Sequence, residues 1–338
     1  MSERLTFFIV LLGLFYACQK DTSSVNIRPE PTAEYILNDY QYGYYQFFFI
    51  DTFYKDHFEK GFSEDLTSFS YPYEKSVLEL IVLETVHPSY ASGALGLASL
   101  NPSLYDSITI DEFWNLEEVE GKLEKGYYKL LDEGKDYDFF SVGLHFGIIF
   151  FKYPIDNSHS LAIGYRTQEK KVGTLYSDFD TDPIPQFLNL KLLKCKNMTP
   201  ANSELWDLML KNVYVLGDST LNYRNTNILI KYFEDKTETF IQPNYPEKRF
   251  TFLLGLDILD NDSGIIVDDG DQRMDLNAVT AYISRGLLLF PSLRPFDPLP
   301  DSRFQLNSLN RAKIYDTAPE NVSALMDSSH FQIIIQKY

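Results

Sequence analysis

Between residues 126 and 165 the chain reverses every few residues, and this punctuation constrains its fold more than any other feature. Residues 127–131 (YYKLL) read as a strand, Asp132-Glu133-Gly134 as a turn, and 135–139 (KDYDF) as a strand again. Gly143 to Gly147 brings the chain around into 148–151 (IIFF). Residues 154–158 make another turn, and 161–165 (LAIGY) a further strand. Short strands cut by Gly, Asp and Pro turns predict an antiparallel sandwich. Composition points the same way. The chain holds 24 Tyr and 26 Phe but only 2 Trp and 5 Met, and aromatic enrichment favours strands over helices. The predicted fold is therefore mainly β, two antiparallel β-sandwich-like modules with a few short helices.

Other segments fill in this outline. Residues 35–62 are dense in aromatics, and the unbroken run Phe47-Phe48-Phe49 suits burial on both faces of an opening strand. An exposed aromatic platform for carbohydrate is the competing reading. Residues 77–86 (VLELIVLETV) predict an inner strand, followed by a Gly/Ala/Ser-rich loop over 89–99. A helix is predicted at about 204–213 (ELWDLMLKNV), capped by Asn202 or Ser203, with Gly217 just beyond it. Further strands are predicted at 227–233, 251–256, 286–290 and 331–337. The polar stretch 167–171 (TQEKK) marks a boundary near residue 170. The domain outline is 1–17, 18–34, 35–170 and 171–338.

The first two of these units are set by Cys18. Residues 5–17 (LTFFIVLLGLFYA) are apolar but short of the ~20 residues a spanning helix needs. The run ends on Ala17, a small residue directly before Cys18, and everything after is polar. This is the pattern of a lipoprotein signal peptide (1–17), with Cys18 as the lipidated nucleophile and 18–34 as a solvated tether. The expected location is the outer membrane, on either face, with membrane lipid as the first partner. A net charge of −18 excludes nucleic acid and acidic lipid surfaces as favoured partners.

With Cys18 acylated, Cys195 is the one remaining thiol, so an intrachain disulfide and a CxxC metal site are both excluded. Cys195 reads as a packed strand residue. Five His lie far apart, although His145 and His159 could meet across a hairpin. The best candidate site is an acidic cluster comprising Asp257, Asp260, Asp262, Asp268, Asp269, Asp271 and Asp275. Its oxygen ligands, spaced around Gly264 and Gly270, suit Ca²⁺ in a flexible loop, with a solvated acidic loop as the alternative. The spacing is not that of an EF-hand. Enzyme chemistry finds little support: there is no GxSxG, Ser141 is near His145 only in sequence, and Asp207 reads as support for a helix N-terminus. No catalytic residue and no cofactor beyond Ca²⁺ is expected.

Two blocks then carry a family likeness. The first is 127–165, reading YYKLLDEGKDYDF, GIIFFKYPI and LAIGY. The second begins at Leu190 with LKLLKCKNMTP and runs through ELWDLMLKNVYVLG to Gly217. It resumes at Leu254-Gly255-Leu256-Asp257 and at Asp268-Asp269-Gly270-Asp271, and ends in 286–296 (GLLLFPSLRPF) and in Ile314-Tyr315-Asp316-Thr317. In order and spacing these blocks resemble the N-terminal domain region of the SprA family, the gliding-motility and type IX secretion translocons of Bacteroidota. The likeness covers residues 120–338 well and 35–119 loosely. It implies a non-enzymatic interaction module with secretion or motility proteins of the envelope as partners. This sequence carries no set of amphipathic strands for the family's large barrel, so pore formation is not implied. The alternative function is a surface glycan-binding lipoprotein that uses the aromatic segment from Tyr35.

Overall fold

The computed structural model describes residues 30–338 apart from 90–92, 140–144, 179–186, 218–219, 223, 235–236, 243–247, 278, 299–301, 305, 307–308 and 326–328. Cys18, the signal segment and most of the tether lie outside the described residues, as does Ser141. The first half contains β1 (Ala33–Asn38), β2 (Phe47–Phe49), helix α1 (Thr52–Gly61), β3 (Glu79–Val86), β4 (Ala94–Ser99), helix α2 (Ile110–Asn115), β5 (Leu123–Leu130), β6 (Tyr137–Phe139), β7 (Ile148–Phe151), β8 (Leu161–Arg166), β9 (Lys171–Val172) and β10 (Leu188–Lys194). The second contains helix α3 (Ser203–Trp206), β11 (Val213–Val215), β12 (Thr226–Glu234), β13 (Thr237–Thr239), helix α4 (Phe250–Leu253), β14 (Leu259–Asp260), β15 (Ile265–Ile266), β16 (Leu287–Leu289) and β17 (Ser329–Lys337). The chain is mainly β, with short helices, as its punctuation predicts. Among the described residues, no helix is long and apolar enough to cross a membrane.

Hydrogen-bonding order explains how the short strands are stabilised. β10, β4, β5, β3 and β8 pair in that order, and β10 then pairs with β8, so the five strands close into a ring with β9 appended. Only the β10–β4 pair is parallel, and a register shift at Leu192 to Lys194 accompanies closure against β8. Closure leaves those strands without bare edges. Leu161, Ala162, Ile163, Gly164 and Tyr165 are buried in succession, as they would be in a strand covered on both faces. Gly164 is required there, because a Cβ would overlap the Thr174 carbonyl. Residues 94–99, predicted as loop, form β4, whose Gly96 packs close under Tyr128.

A boundary at residue 170 would cut through this ring between β8 and β9, and would separate β10 from its partners. The N-terminal strand crosses the proposed division as well. β1 pairs with β17 in the sheet β1-β17-β12-β13, in register from Ala33 opposite Lys337 to Asn38 opposite Gln332. The aromatic segment sits at the joint. Phe47, Phe48 and Phe49 are buried, and β2 pairs with β7 of the sheet β2-β7-β6. On its other side, Phe49 N–H donates to Leu208 and Leu210 N–H to Phe47. The Tyr44 and Tyr45 rings lie 6.4 and 6.3 Å from Trp206, and Tyr42 stacks on Tyr315 at 5.9 Å. These rings are packed in the core, whereas Tyr35 at the start of the aromatic segment is exposed.

Two predicted elements change type. The helix at 204–213 stops at Trp206, because Leu208, Met209 and Leu210 are drawn into extended contacts with β2 and buried there. Residues 251–256, predicted as a strand, instead form α4 and a turn at Gly255, whose φ is +75°. Both segments hold short apolar runs, 208–210 and 252–254, and runs of that length do not declare their period.

Candidate functional site

The acidic loop follows α4, and its carboxylates serve mainly to hold its own backbone. Asp257 accepts the N–H groups of Asp271 and Gln272, each at 3.0 Å. Asp275 returns the arrangement by accepting from Ile258 at 2.7 Å and Leu259 at 3.2 Å. Between them the β14–β15 hairpin turns, with Asp260 accepting from Asp262 and Ser263. Asp271 accepts from Asn261 and faces Arg273 at 2.8 Å, and Arg273 also reaches Asp262 at 3.1 Å. Asp268 pairs with Lys248, while Asp269 accepts from the Arg249 N–H at 2.6 Å.

The structure thus gathers Asp257, Asp271 and Asp275 into one electrostatic group and turns Asp262 and Asp268 out to solvent. Each of the seven aspartates in the predicted calcium cluster meets a backbone N–H or a basic side chain. Among the described residues, no group of three or more imidazoles, thiols or carboxylates is placed to hold a metal ion. Burial, with the charges of Asp275 and Asp271 added, pushes the Asp257 carboxyl up to about 7 despite its two N–H donors. Burial and Asp271 likewise push Asp275 up to about 6.

A mostly buried carboxylate, which the sequence reading passed over, behaves in the opposite way. Asp51 caps α1, its Oδ1 accepting from Phe53 N–H at 3.2 Å. Its Oδ2 receives the Tyr165 hydroxyl at 2.6 Å, Lys191 Nζ at 2.8 Å and Lys170 Nζ at 3.1 Å. Burial alone would raise this carboxyl. Lys191, Tyr165 and Lys170 outweigh it and hold Asp51 well below the usual carboxylate range. Burial lowers Lys191 in turn, opposed by Asp51. The pair borders an open cavity of about 400 Å³, lined also by Lys55, Ser203, Glu204 and Asp207. Lys55 pairs with Asp207 at 2.9 Å, as Lys191 does with Asp51 at 2.8 Å. With both oxygens occupied by donors, Asp51 positions strands and helix.

Other predicted residues have structural employment. Asp207 sits at the C-terminal end of α3, not its start, and is held by Lys55 and Lys211. His159 donates from Nδ1 to the Glu84 carboxylate at 2.7 Å, and His145 is exposed beside Phe139. Cys195 is fully buried just past β10, and burial pushes its thiol up to about 11, far from a reactive thiolate. Its neighbour Lys194 was another omission: the buried Nζ donates to the carbonyls of Asp156, Asn157 and His159 and lies 5.0 Å from the Tyr45 ring centre. Burial lowers that ammonium to about 8. A lysine in an otherwise apolar strand pattern was the available signal for both Lys191 and Lys194. Compared with models of known protein families and with curated proteins, the chain matches none.

Proposed function

We propose that this chain is a non-enzymatic interaction module related to the SprA N-terminal region. A lipid at Cys18 anchors it to the outer membrane, and it serves envelope partners of type IX secretion or gliding motility. One observation supports the reading: the separated blocks that carry the likeness pack against one another. Trp206 Nε1–H donates to the Tyr315 carbonyl at 2.8 Å, and the Phe296 N–H donates to the Tyr315 hydroxyl at 2.8 Å. Tyr214 meets Phe290 edge-on at 5.6 Å, and Phe290 meets Phe296 at 5.7 Å. Motif residues spread over the second half of the chain therefore form one packed unit, as a shared domain requires.

The test is an affinity pull-down of the tagged full-length protein from native envelopes beside a Cys18→Ala control, read by mass spectrometry. Secretion or motility components should be recovered with the lipidated form. Recovery of a sugar transporter instead would overturn the assignment.

A further inference from the structure

The β4–β5 connection, residues 100–122, is too large to be a turn and carries its own small core. Leu97, Phe113 and Leu123 are buried there, apart from the main core, with Ile108, Ile110 and Leu116 packed around them. The excursion is well fixed. Thr109 and Glu112 form a reciprocal capping box at the start of α2. At its other end, Lys125 Nζ donates to the carbonyls of Phe113, Trp114 and Leu116. A lobe so stapled has no need of apolar side chains on its outside.

It nevertheless presents three of them. Leu104 is 68% exposed, Trp114 58% and Val119 47%. Trp114 stands edge-on to Phe113, with ring centres 5.0 Å apart, and so is held in place by the core beneath it. Around them the lobe is strongly acidic: Asp106, Asp111, Glu112, Glu117, Glu118 and Glu120 stand against Lys122 and the stapling Lys125. Asp106, Glu112 and Glu118 are used internally, by Asn189, Thr109 and the Lys125 N–H. Asp111, Glu117 and Glu120 are exposed and outside every ion pair among the described residues.

We infer that this lobe is a docking surface for a cationic amphipathic segment of a partner protein. Exposed apolar side chains rimmed by charge mark interaction sites, and a rigidly backed Trp is the commonest kind of anchor in them. The sign of the rim selects the partner: basic groups are drawn in, while nucleic acid and anionic lipid are repelled. The inference builds on the interaction-module reading but is separable from it, since it makes no use of Cys18 or of the family.

The chain has two Trp, and Trp206 is buried, so Trp114 reports the lobe by fluorescence. The probe is a synthetic Lys/Leu amphipathic peptide titrated into the folded protein at low and high salt. Binding should blue-shift the emission, saturate, and weaken at high salt. A Leu104→Ser/Val119→Ser variant, with its melting curve unchanged, should weaken binding about tenfold or more. Glu117→Gln/Glu120→Gln should weaken it several-fold, whereas Glu64→Gln/Glu74→Gln, exposed acids on other elements, should not. Equal affinity for all variants would overturn the docking lobe and leave only overall charge. Saturation by a neutral oligosaccharide in place of the peptide would overturn it also. Failure here, with secretion components still recovered in the pull-down, removes the lobe alone; the reverse pattern removes the family assignment alone.

Discussion

Asp51, mostly buried, and the buried Asp257–Asp275 pair are carboxylates of one chain with opposite electrostatic consequences. Asp51 meets two ammonium groups and a phenol. Asp257 and Asp275 meet backbone N–H groups and the charge of neighbouring aspartates. Backbone dipoles satisfy hydrogen-bonding valence but do not repay desolvation of a full charge, whereas a close cation does. The first region therefore stays ionised and ties α1 to the strand ring, while the second prefers to hold a proton as pH falls. Density of acidic residues, which drew attention to the second region, is the wrong guide to which carboxylate matters structurally.

The largest effect should come from breaking the Asp51 cluster. Asp51→Asn leaves the mostly buried Lys191 without a counter-ion, and the expected loss is about 3 kcal/mol in urea unfolding at neutral pH. Lys191→Met on its own should cost less, because Lys170 and Tyr165 remain on Asp51. The Asp51→Asn/Lys191→Met double variant should recover a good part of the single loss, giving a clear coupling energy. Additive losses would mean the two side chains are not acting as a pair.

The acidic loop should set the pH dependence. Asp257 and Asp275 have folded-state values of about 7 and about 6, above the ordinary 3.8. A raised carboxyl favours the protonated folded state, so its contribution is full below the unfolded value and is lost as pH rises through the folded one. Stability should thus increase by about 2 kcal/mol or more as pH is lowered from about 8 to about 5. Below pH ~4 the sign reverses, since Asp51 is held low and its stabilisation disappears as it protonates. Asp257→Asn/Asp275→Asn should flatten the first slope and leave the second. A melting temperature that rises from pH 5 to pH 8 in the native protein would contradict the assignment.

How far each region was legible follows from sequence separation. The hairpin at 259–266 and its aspartates lie within one short stretch, so their clustering could be read directly. What could not be read was that each carboxylate would find its own donor. The Asp51 cluster joins residues 114 to 140 positions apart, and nothing local to Asp51 announces it. The same distance effect hid the ring closure of β10 on β8 and the pairing of β1 with β17. Strands with turn punctuation, such as β7, β8, β12 and β17, were found close to their true limits because their signals are local.

Backbone geometry offers a smaller lever on the loop. Asp269, Gly270 and Gln272 all have positive φ, a turn that aims the Asp271 and Gln272 N–H groups at Asp257. A Cβ at Gly270 would overlap the Asp257 carboxylate. Gly270→Ala should cost about 2 kcal/mol from the left-handed backbone and this overlap together. It should also shallow the pH slope, because displacing Asp257 hydrates it. A destabilised variant with the full native slope would separate the strain from the titration.

The smallest expected effect is the response to calcium, and it bears most directly on the difference between the regions. Asp51 has its cations from Lys191 and Lys170; the outer rim of the acidic loop has its own from Arg273, Lys248 and Arg249. Arg273 spans Asp262 and Asp271, the position a bridging ion would take. Millimolar calcium should therefore shift the melting temperature of the native protein by less than about 1 °C, the sign of no preferential binding to the folded state. Arg273→Gln removes the internal cation while leaving the carboxylates and their backbone donors in place, at little cost because Arg273 and Asp262 are exposed and Asp271 keeps the N–H donors of Asn261 and residue 273. A calcium-dependent rise in melting temperature confined to that variant would show that the guanidinium occupies the role. A rise already present in the native protein would mean that the loop rearranges to expose a coordination sphere that its folded geometry does not offer.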